Sequence, residues 1–303
     1  MPFLFILGVS CLRVKAKWQT ETLFFFDTVC EINLFCTTSE YELAKKKVVE
    51  TFQDIEAHFS PDSQSYSSAQ VIFLYQRASD VYRASEGCFD ITVAPLSRIW
   101  GFLDHTPRIP QPKEIKKALK NIGMNRISLE SDKIVLPPGM ALDWGGIAKG
   151  YGIDLAAQAL IRTGIKSGFI NAGGDLYCWG QNPDQQSWRI GIKDPRQSGV
   201  SAVLFITDTG AATTGDYQRF FIQDGVRYHH VFDPKSGYPA KGKQSVTVVG
   251  PETLVCDALS TALFVSSQPQ KIITKVPGYG AVLIDSEGTI SLIGKDYPIQ
   301  LEK

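Results

Sequence analysis

The sequence predicts an α+β fold. Helical and strand-like stretches are mixed along the 303 residues, they do not follow the regular strand–helix alternation of a doubly wound parallel sheet, and no internal repeat or low-complexity tract interrupts them. Hydrophobic residues make up 44% and charged residues 20%, ordinary for a folded domain and enough to bury a sizeable core without crosslinks. Lys+Arg and Asp+Glu are equal at 31 each, and no basic stripe stands out, so there is no electrostatic case for a nucleic-acid partner. The six cysteines (Cys11, Cys30, Cys36, Cys88, Cys178 and Cys256) form no CxxC pair and no cluster with histidine. That spacing argues against a zinc site and implies no disulfide framework.

Taken in order, the chain opens with an apolar run, Phe3 to Val9, too short to span a bilayer. It ends in "LGVSC", a crude lipoprotein cleavage box in which Cys11 would be the acylated residue. Residues 1–19 are therefore expected to be a lipoprotein-type leader or truncated signal segment, and residues 20–303 the folded domain. A hydrophobic first strand is the other reading. "TLFFFDTVCEINLF" reads as a strand, and Ser39-Glu40-Tyr41-Glu42 as a capping box. The helix it opens carries Ala44, Val48, Phe52, Ile55 and Phe59 at helical spacing. "SPDSQSYSS" is a polar loop, and a second helix runs from about Ala69 to Glu86, stopped by Gly87. "CFDITV" is strand-like, "PKEIKKALKNIG" a short helix, and "ISLESDKIVL" a hairpin.

A further helix follows "ALDWGGIAKGYGID", with Ile147, Tyr151, Leu155 and Ala159 on one face and Gly164 as its stop. Strands are expected at "GFINAGG", "WRIGI", "AVLFIT", "QRFFIQ", "RYHHVF" and "SVTVVG". "NAGGDLYCWG" resembles a glycine corner between strands, and "TGAATTGD" is rich in small residues that suit close passage by a ligand or a turn. "DPKSGYP" is a turn with proline at its second position. "PETLVCDALSTALFV" is the last helix, with Pro251 suited to its first turn. "AVLIDSEGTISLI" closes the chain as a hairpin.

The segment Ala141–Asp154 raises the question of a phosphate. Lys149 is followed by Gly150 rather than Ser or Thr, so the Walker pattern fails, and G-x-G-x-x-G is not met either. Glycines let a backbone approach a ligand closely, and a helix N-terminus favours anions. Asp143 would repel a bare phosphate, so it suits hydrogen bonds from a base or a cation instead. Taken alone, the segment is either a ligand loop or a tight strand-to-helix turn. Asp257 and Thr261 lie four apart on the last helix and share a face. Their hard oxygens suit Mg²⁺ better than zinc, although both could simply be solvated. His229 and His230 sit in a strand and point to opposite faces, so at most one serves a given site.

In order and wording, "GCFDITVAPLSRIWGF", "LDWGGIAKGYGID", "INAGGD", "WRIGIKDP", "ATTGDYQRFF", "YHHVFDPKSGYP", "SVTV" and "CDALSTALFV" together resemble the FAD:protein FMN transferase family, the ApbE-type flavin transferases. The resemblance runs from about Thr22 to the C-terminus. It implies a T-fold-related α+β fold with FAD in a central cleft. It implies Mg²⁺-dependent transfer of FMN from FAD to a threonine hydroxyl of a target flavoprotein, with AMP released. Typical targets are subunits of membrane redox complexes, such as Na⁺-pumping NADH:quinone oxidoreductase and Rnf-type complexes. A location on the periplasmic face of the inner membrane would go with a lipid anchor, and a cytoplasmic one with a non-functional leader. Hydrolysis of FAD to FMN and AMP, or FAD carriage without catalysis, are the alternatives.

Carried over by motif, Gly146, Asp257 and Thr261 would hold Mg²⁺. Flavin contacts would come from Phe26 and Thr28, from Cys88, Phe89 and Asp90, from Asp143, Gly146 and Lys149, and from Phe232. His230 matches the retained histidine and, with Asp257, is the expected catalytic residue. Two departures stand out. "FDT" replaces "MGT", putting Phe26 and Asp27 in the wall nearest the ligand, and the 59–68 segment is shorter than the family's version. "DTGAATTG" loosely resembles the family's acceptor motif, which would imply self-flavinylation at Thr213 or Thr214. The favoured reading is a cleft-lining segment.

Overall fold

The computed structural model describes residues 15–59 and 66–302. The expected leader up to residue 14, with Cys11, and residues 60–65 of the polar loop lie outside them.

Eight strands form one antiparallel sheet in strict chain order: β1 (Lys17–Phe25), β2 (Thr28–Cys36), β3 (Gly168–Ala172), β4 (Asp175–Trp179), β5 (Thr209–Gly215), β6 (Lys243–Gly250), β7 (Gly280–Asp285) and β8 (Ile290–Gly294). β1 begins inside the 1–19 segment and pairs with β2 from Lys17↔Cys36 onward. The four long helices are α1 (Thr38–Phe59), α2 (Ala69–Ala84), α3 (Ala148–Arg162) and α4 (Thr253–Val265). They cover one face, where Ile32, Leu34 and Ile170 pack on α1 and α3, and Val246 and Val248 join the cluster around α4. On the other face Leu176, Cys178, Ala211, Val249 and Val282 pack against a three-stranded sheet of Trp188–Lys193, Val200–Ile206 and Ile299–Leu301. This two-faced layering on an antiparallel sheet is the α+β arrangement expected.

α4 is apolar almost all round, with Leu254, Ala258, Leu259, Ala262 and Leu263 buried, as fits a helix enclosed by a sheet and other helices. Two devices fix its N-terminus against α3. A Cβ at Gly150 would lie 2.5 Å from the Thr253 carbonyl oxygen and 2.7 Å from Leu254 Cα, so only glycine lets the helices cross this closely. One turn along α3, the buried Asp154 accepts the amides of Thr253 and Leu254, both at 2.9 Å, and so satisfies two donors that no intrahelical carbonyl reaches.

Several expectations need correction. The first capping box is Thr37 with Glu40, whose carboxylate accepts the Thr37 amide at 2.7 Å; the Ser39–Glu42 assignment was out of register by two residues. "CFDITV" is not a strand. The Asp90 side chain accepts the Thr92 amide at 2.8 Å and folds Ile91–Val93 into a 3₁₀ turn that runs on into the helix Ala94–Ile99. "TLFFFDTVCEINLF" is a hairpin rather than one strand. Phe26 and Asp27 form its turn at φ 56° and 55°, without the glycine or asparagine such turns favour. Packing holds this unfavourable geometry: the Phe26 ring sits 5.0 Å from that of Phe52, and its amide donates to Glu56 at 2.6 Å. "TGAATTG" is the central strand β5, with small residues because α4 lies directly on it. α3 is buried on two sides between α1 and α4, so Ala148, Ile153, Ala156 and Leu160 are covered, whereas Leu155 and Ala159 are only partly so.

Asp154→Ala leaves two buried helix-start amides unpaired and is expected to cost about 2 kcal/mol in urea denaturation. A loss below about 0.5 kcal/mol would remove this carboxylate from the set of interactions that position α4.

Candidate active site

The crossing of α3 and α4 places one ammonium between two buried carboxylates. Lys149 Nζ lies 2.6 Å from Asp175 Oδ2 and 3.5 Å from Asp257 Oδ2. A quarter of the Lys149 side chain remains exposed, against 3% of Asp175 and 6% of Asp257, so the ammonium is the accessible member of the cluster and the two carboxylates are buried. Asp257 Oδ2 also accepts the Gly150 amide at 3.1 Å, in the first turn of α3. The positive end of that helix is therefore directed at a carboxylate of the protein itself, which answers the phosphate-cradle question. Burial pushes the Asp257 carboxyl well above the usual range; Lys149 opposes the shift and Asp175 adds to it. For Lys149, burial favours loss of the proton, but the two carboxylates outweigh it and hold the ammonium charged.

Thr261 stands one turn beyond Asp257, and its hydroxyl is 3.1 Å from that of Thr214. Thr214 also bonds Ser260 at 2.7 Å, and Ser260 donates to the Asp257 carbonyl at 2.8 Å. A Cβ at Gly146 would stand 3.4 Å from the Thr261 hydroxyl and 3.2 Å from the Phe89 ring, which brings the Gly146 backbone close to α4. Gly146, Phe89, Lys149, Asp257 and Thr261 thus converge, although 108 positions separate Lys149 from Asp257.

These residues fit a hard cation. Carboxylate, hydroxyl and backbone carbonyl are the donors Mg²⁺ prefers. Among the described residues no group of three or more His, Cys, Asp or Glu is clustered as a metal site. Among the described residues the hydrogen bonds to the Asp257 carboxylate go to Oδ2, which leaves Oδ1 for another partner.

The remaining expected residues fall into three groups. Phe26 lies in the β1–β2 turn and Thr28 just after it, and Thr28 abuts the β3–β4 turn that leads into Asp175: a Cβ at Gly173 would be 2.7 Å from its hydroxyl. Asp90 and Asp143 stitch loops together. Asp90 binds Thr92 and the Met124 amide; Asp143 accepts the Gly145 amide at 3.0 Å and the Ser97 hydroxyl at 2.9 Å, while its own amide donates to Ile91. Cys88 is half-buried, and burial raises its thiol pKa. The Phe232 ring lies in a separate apolar cluster with Leu96, Trp100 and Phe102, so its side chain builds the wall rather than lining it.

Of the two histidines expected in one strand, only His229 lies in it (Val226–His229), and His230 falls just past its end. His229 is buried, bonded to the Ala240 carbonyl at 2.9 Å and to the Val231 amide, and edge-on to Phe264. His230 is half-buried, with Nδ1 3.2 Å from the Arg219 carbonyl. That carbonyl calls for a proton on Nδ1, leaving Nε2 as an acceptor. Withdrawal from water, then the charges of Arg219 and Lys149, push the His230 pKa down to about 3.

Sequence reading did not reach Asp175 or Ser260, and it reached Thr214 only as part of the "DTGAATTG" segment. Ser260 had a signal, three residues after Asp257 on the same helix; Asp175 and Thr214 enter only through strand pairing. Thr213 faces the other side of the sheet and bonds Thr247 at 2.8 Å. There it lines a cavity of about 420 Å³ with Asn171 and Trp188, which does not include Lys149 or Asp257. The site is assigned by its chemistry rather than by that volume.

Comparison with known proteins identifies the family. The model of the ApbE family matches residues 26–283. The FAD:protein FMN transferase of Haemophilus influenzae is 31% identical over 216 residues, which cover 68% of this chain and 62% of that protein. The chain thus matches less than two thirds of the length of such curated relatives. The crystal structure of the ApbE protein of Thermotoga maritima superposes with a TM-score of 0.85 at 30% identity, covering 91% of this chain and 97% of that one. The apo flavinyl transferase ApbE of Pseudomonas stutzeri gives a TM-score of 0.80 at 26% identity, over 92% and 94% of the two chains.

Both histidines have pKa values below the ordinary 6.5. Below that pH the unfolded chain binds protons that the native state refuses, so stability is full above about pH 6.5 and falls as the pH drops. His230→Gln is expected to make the decline in urea midpoint between pH 7 and pH 5 shallower than in wild type. An unchanged slope would mean that His230 titrates as a solvated imidazole.

Proposed function

The chain belongs to the ApbE family, and from that premise we propose that it transfers the FMN half of FAD to a threonine hydroxyl of a target flavoprotein, releasing AMP. The observation that carries this reading is the convergence of Asp257, Thr261 and the Gly146 backbone beside Lys149. It is a hard-oxygen set next to a fixed ammonium, as cleavage of an anionic pyrophosphate requires.

In this reaction the acceptor oxygen forms a bond to the FMN phosphorus. The bond from that phosphorus to the bridging oxygen breaks, AMP leaves with the electron pair, and the hydroxyl proton passes to the leaving group or solvent. Mg²⁺, held by Asp257, Thr261 and the Gly146 carbonyl, would supply charge neutralisation at the pyrophosphate. Lys149 adds a second positive charge from the α3 side. His230 is neutral at physiological pH, and its depressed basicity suits Nε2 to accepting a hydrogen bond from the incoming hydroxyl and orienting it, rather than to removing the proton outright. Phe89, packed against Gly146, supplies an apolar wall, and Phe26 with Thr28 borders the site from the β1–β2 turn.

The family resemblance supports further parts of the proposal: an acceptor that is a flavoprotein subunit of a membrane redox complex, and a location at the bacterial cell envelope. Among the described residues no helix is long and apolar enough to cross a membrane.

Asp257→Asn is expected to lower Mg²⁺-dependent FMN transfer at least about 100-fold, read as the added FMN mass on an acceptor peptide, while the urea midpoint stays near wild type. Near-normal transfer would contradict the metal assignment. Free FMN without labelled acceptor, in the wild type, would redirect the reading to FAD hydrolysis.

A further inference from the structure

We infer that Asp175 is a positioning residue: it holds the Lys149 ammonium away from Asp257 and so keeps Asp257 open to a divalent cation. This rests on the metal reading given above and deepens it.

The geometry is asymmetric. Lys149 Nζ makes a short ion pair with Asp175 at 2.6 Å and a longer, weaker one with Asp257 at 3.5 Å. The Asp175 carboxylate is fixed. Its Oδ1 accepts the Thr213 amide at 3.2 Å, and the residue is only 2% exposed. The backbone beneath it is equally constrained. Asp175 follows the two-residue turn Gly173-Gly174, with φ 63° and 100°, and the Gly174 amide is bound by Asn171 at 2.9 Å. An ammonium is a compact charge on a flexible stem and takes the nearest carboxylate available. Without Asp175, the anion left for Lys149 is Asp257, already anchored by the Gly150 amide. A divalent ion would then have to displace a direct ion pair. With Asp175 present the cluster holds two carboxylates and one ammonium, and the ammonium is committed first to Asp175. The strand order that puts β4 beside β5 thus places at the site a residue that is not itself a ligand.

The test is calorimetric titration of the full FAD-free chain with MgCl₂. Asp175→Asn is expected to weaken Mg²⁺ binding at least about tenfold, and a crystal structure of this variant to show Lys149 Nζ within about 3 Å of Asp257. The double variant Asp175→Asn/Lys149→Met, which removes the competing ammonium as well, should bind within about threefold of wild type. Lys149→Met alone should bind more tightly than wild type, and this arm stands even if Asp175→Asn does not fold. Wild-type affinity in Asp175→Asn, a double variant as weak as Asp175→Asn, or weaker binding by Lys149→Met would each overturn the role given to Asp175. Wild-type protein that takes up no Mg²⁺ would overturn the metal reading itself.

Discussion

Two buried carboxylates facing one ammonium is the constraint on which the rest of the structure depends. Taking three charged groups out of water is costly, and a cluster with one excess negative charge is costlier than a balanced pair. Burial has pushed the Asp257 carboxyl upward despite its bonds to Lys149 and the Gly150 amide. Such an arrangement is hard to justify as a stabilising feature. It makes sense as a site whose missing charge arrives from outside, as a divalent ion accompanying an anionic substrate.

The fold reads as the support for that cluster. α3 delivers Lys149 and the Gly150 amide, and α4 delivers Asp257, Ser260 and Thr261. The two helices meet only because Gly150 admits the Thr253 backbone and Asp154 caps the start of α4. The sheet contributes from below through β4 and β5, with Asp175 and Thr214 as its contacts to the helices. The antiparallel order brings the start of β4 beside the middle of β5, so the glycine turn before β4 becomes part of the site. His230 arrives separately, at the base of the Phe220–His229 hairpin, over the apolar cluster of Trp100, Phe102 and Phe232.

Much of this was legible in the sequence. The four long helices follow from helical spacing and end signals, and the last hairpin from its polar turn. The pairing of Asp257 with Thr261 followed from helix geometry alone. The misreadings have local causes. Phe26-Asp27 turns the chain without a turn residue because packing on Phe52 and a bond to Glu56 stabilise the geometry. β5 looked like a loop because the helix lying on it excludes the branched residues that mark a strand. "CFDITV" looked like a strand because its alternation is real, but Asp90 captures the Thr92 amide before a ladder can. The contribution of Asp175 was beyond sequence reading, since it depends on which strands are neighbours. Motif resemblance supplied what spacing could not, namely that Gly146 and α4 belong to one site.

The most direct test of the account is the position of a bound ion. Crystals grown with Mn²⁺ in place of Mg²⁺ should show an anomalous peak about 2.1–2.3 Å from an Asp257 oxygen, the Thr261 hydroxyl and the Gly146 carbonyl, with Lys149 still paired to Asp175. A peak bound elsewhere, or an Asp257 carboxylate closed onto Lys149 with no ion beside it, would contradict the claim that this cluster is built to receive a cation.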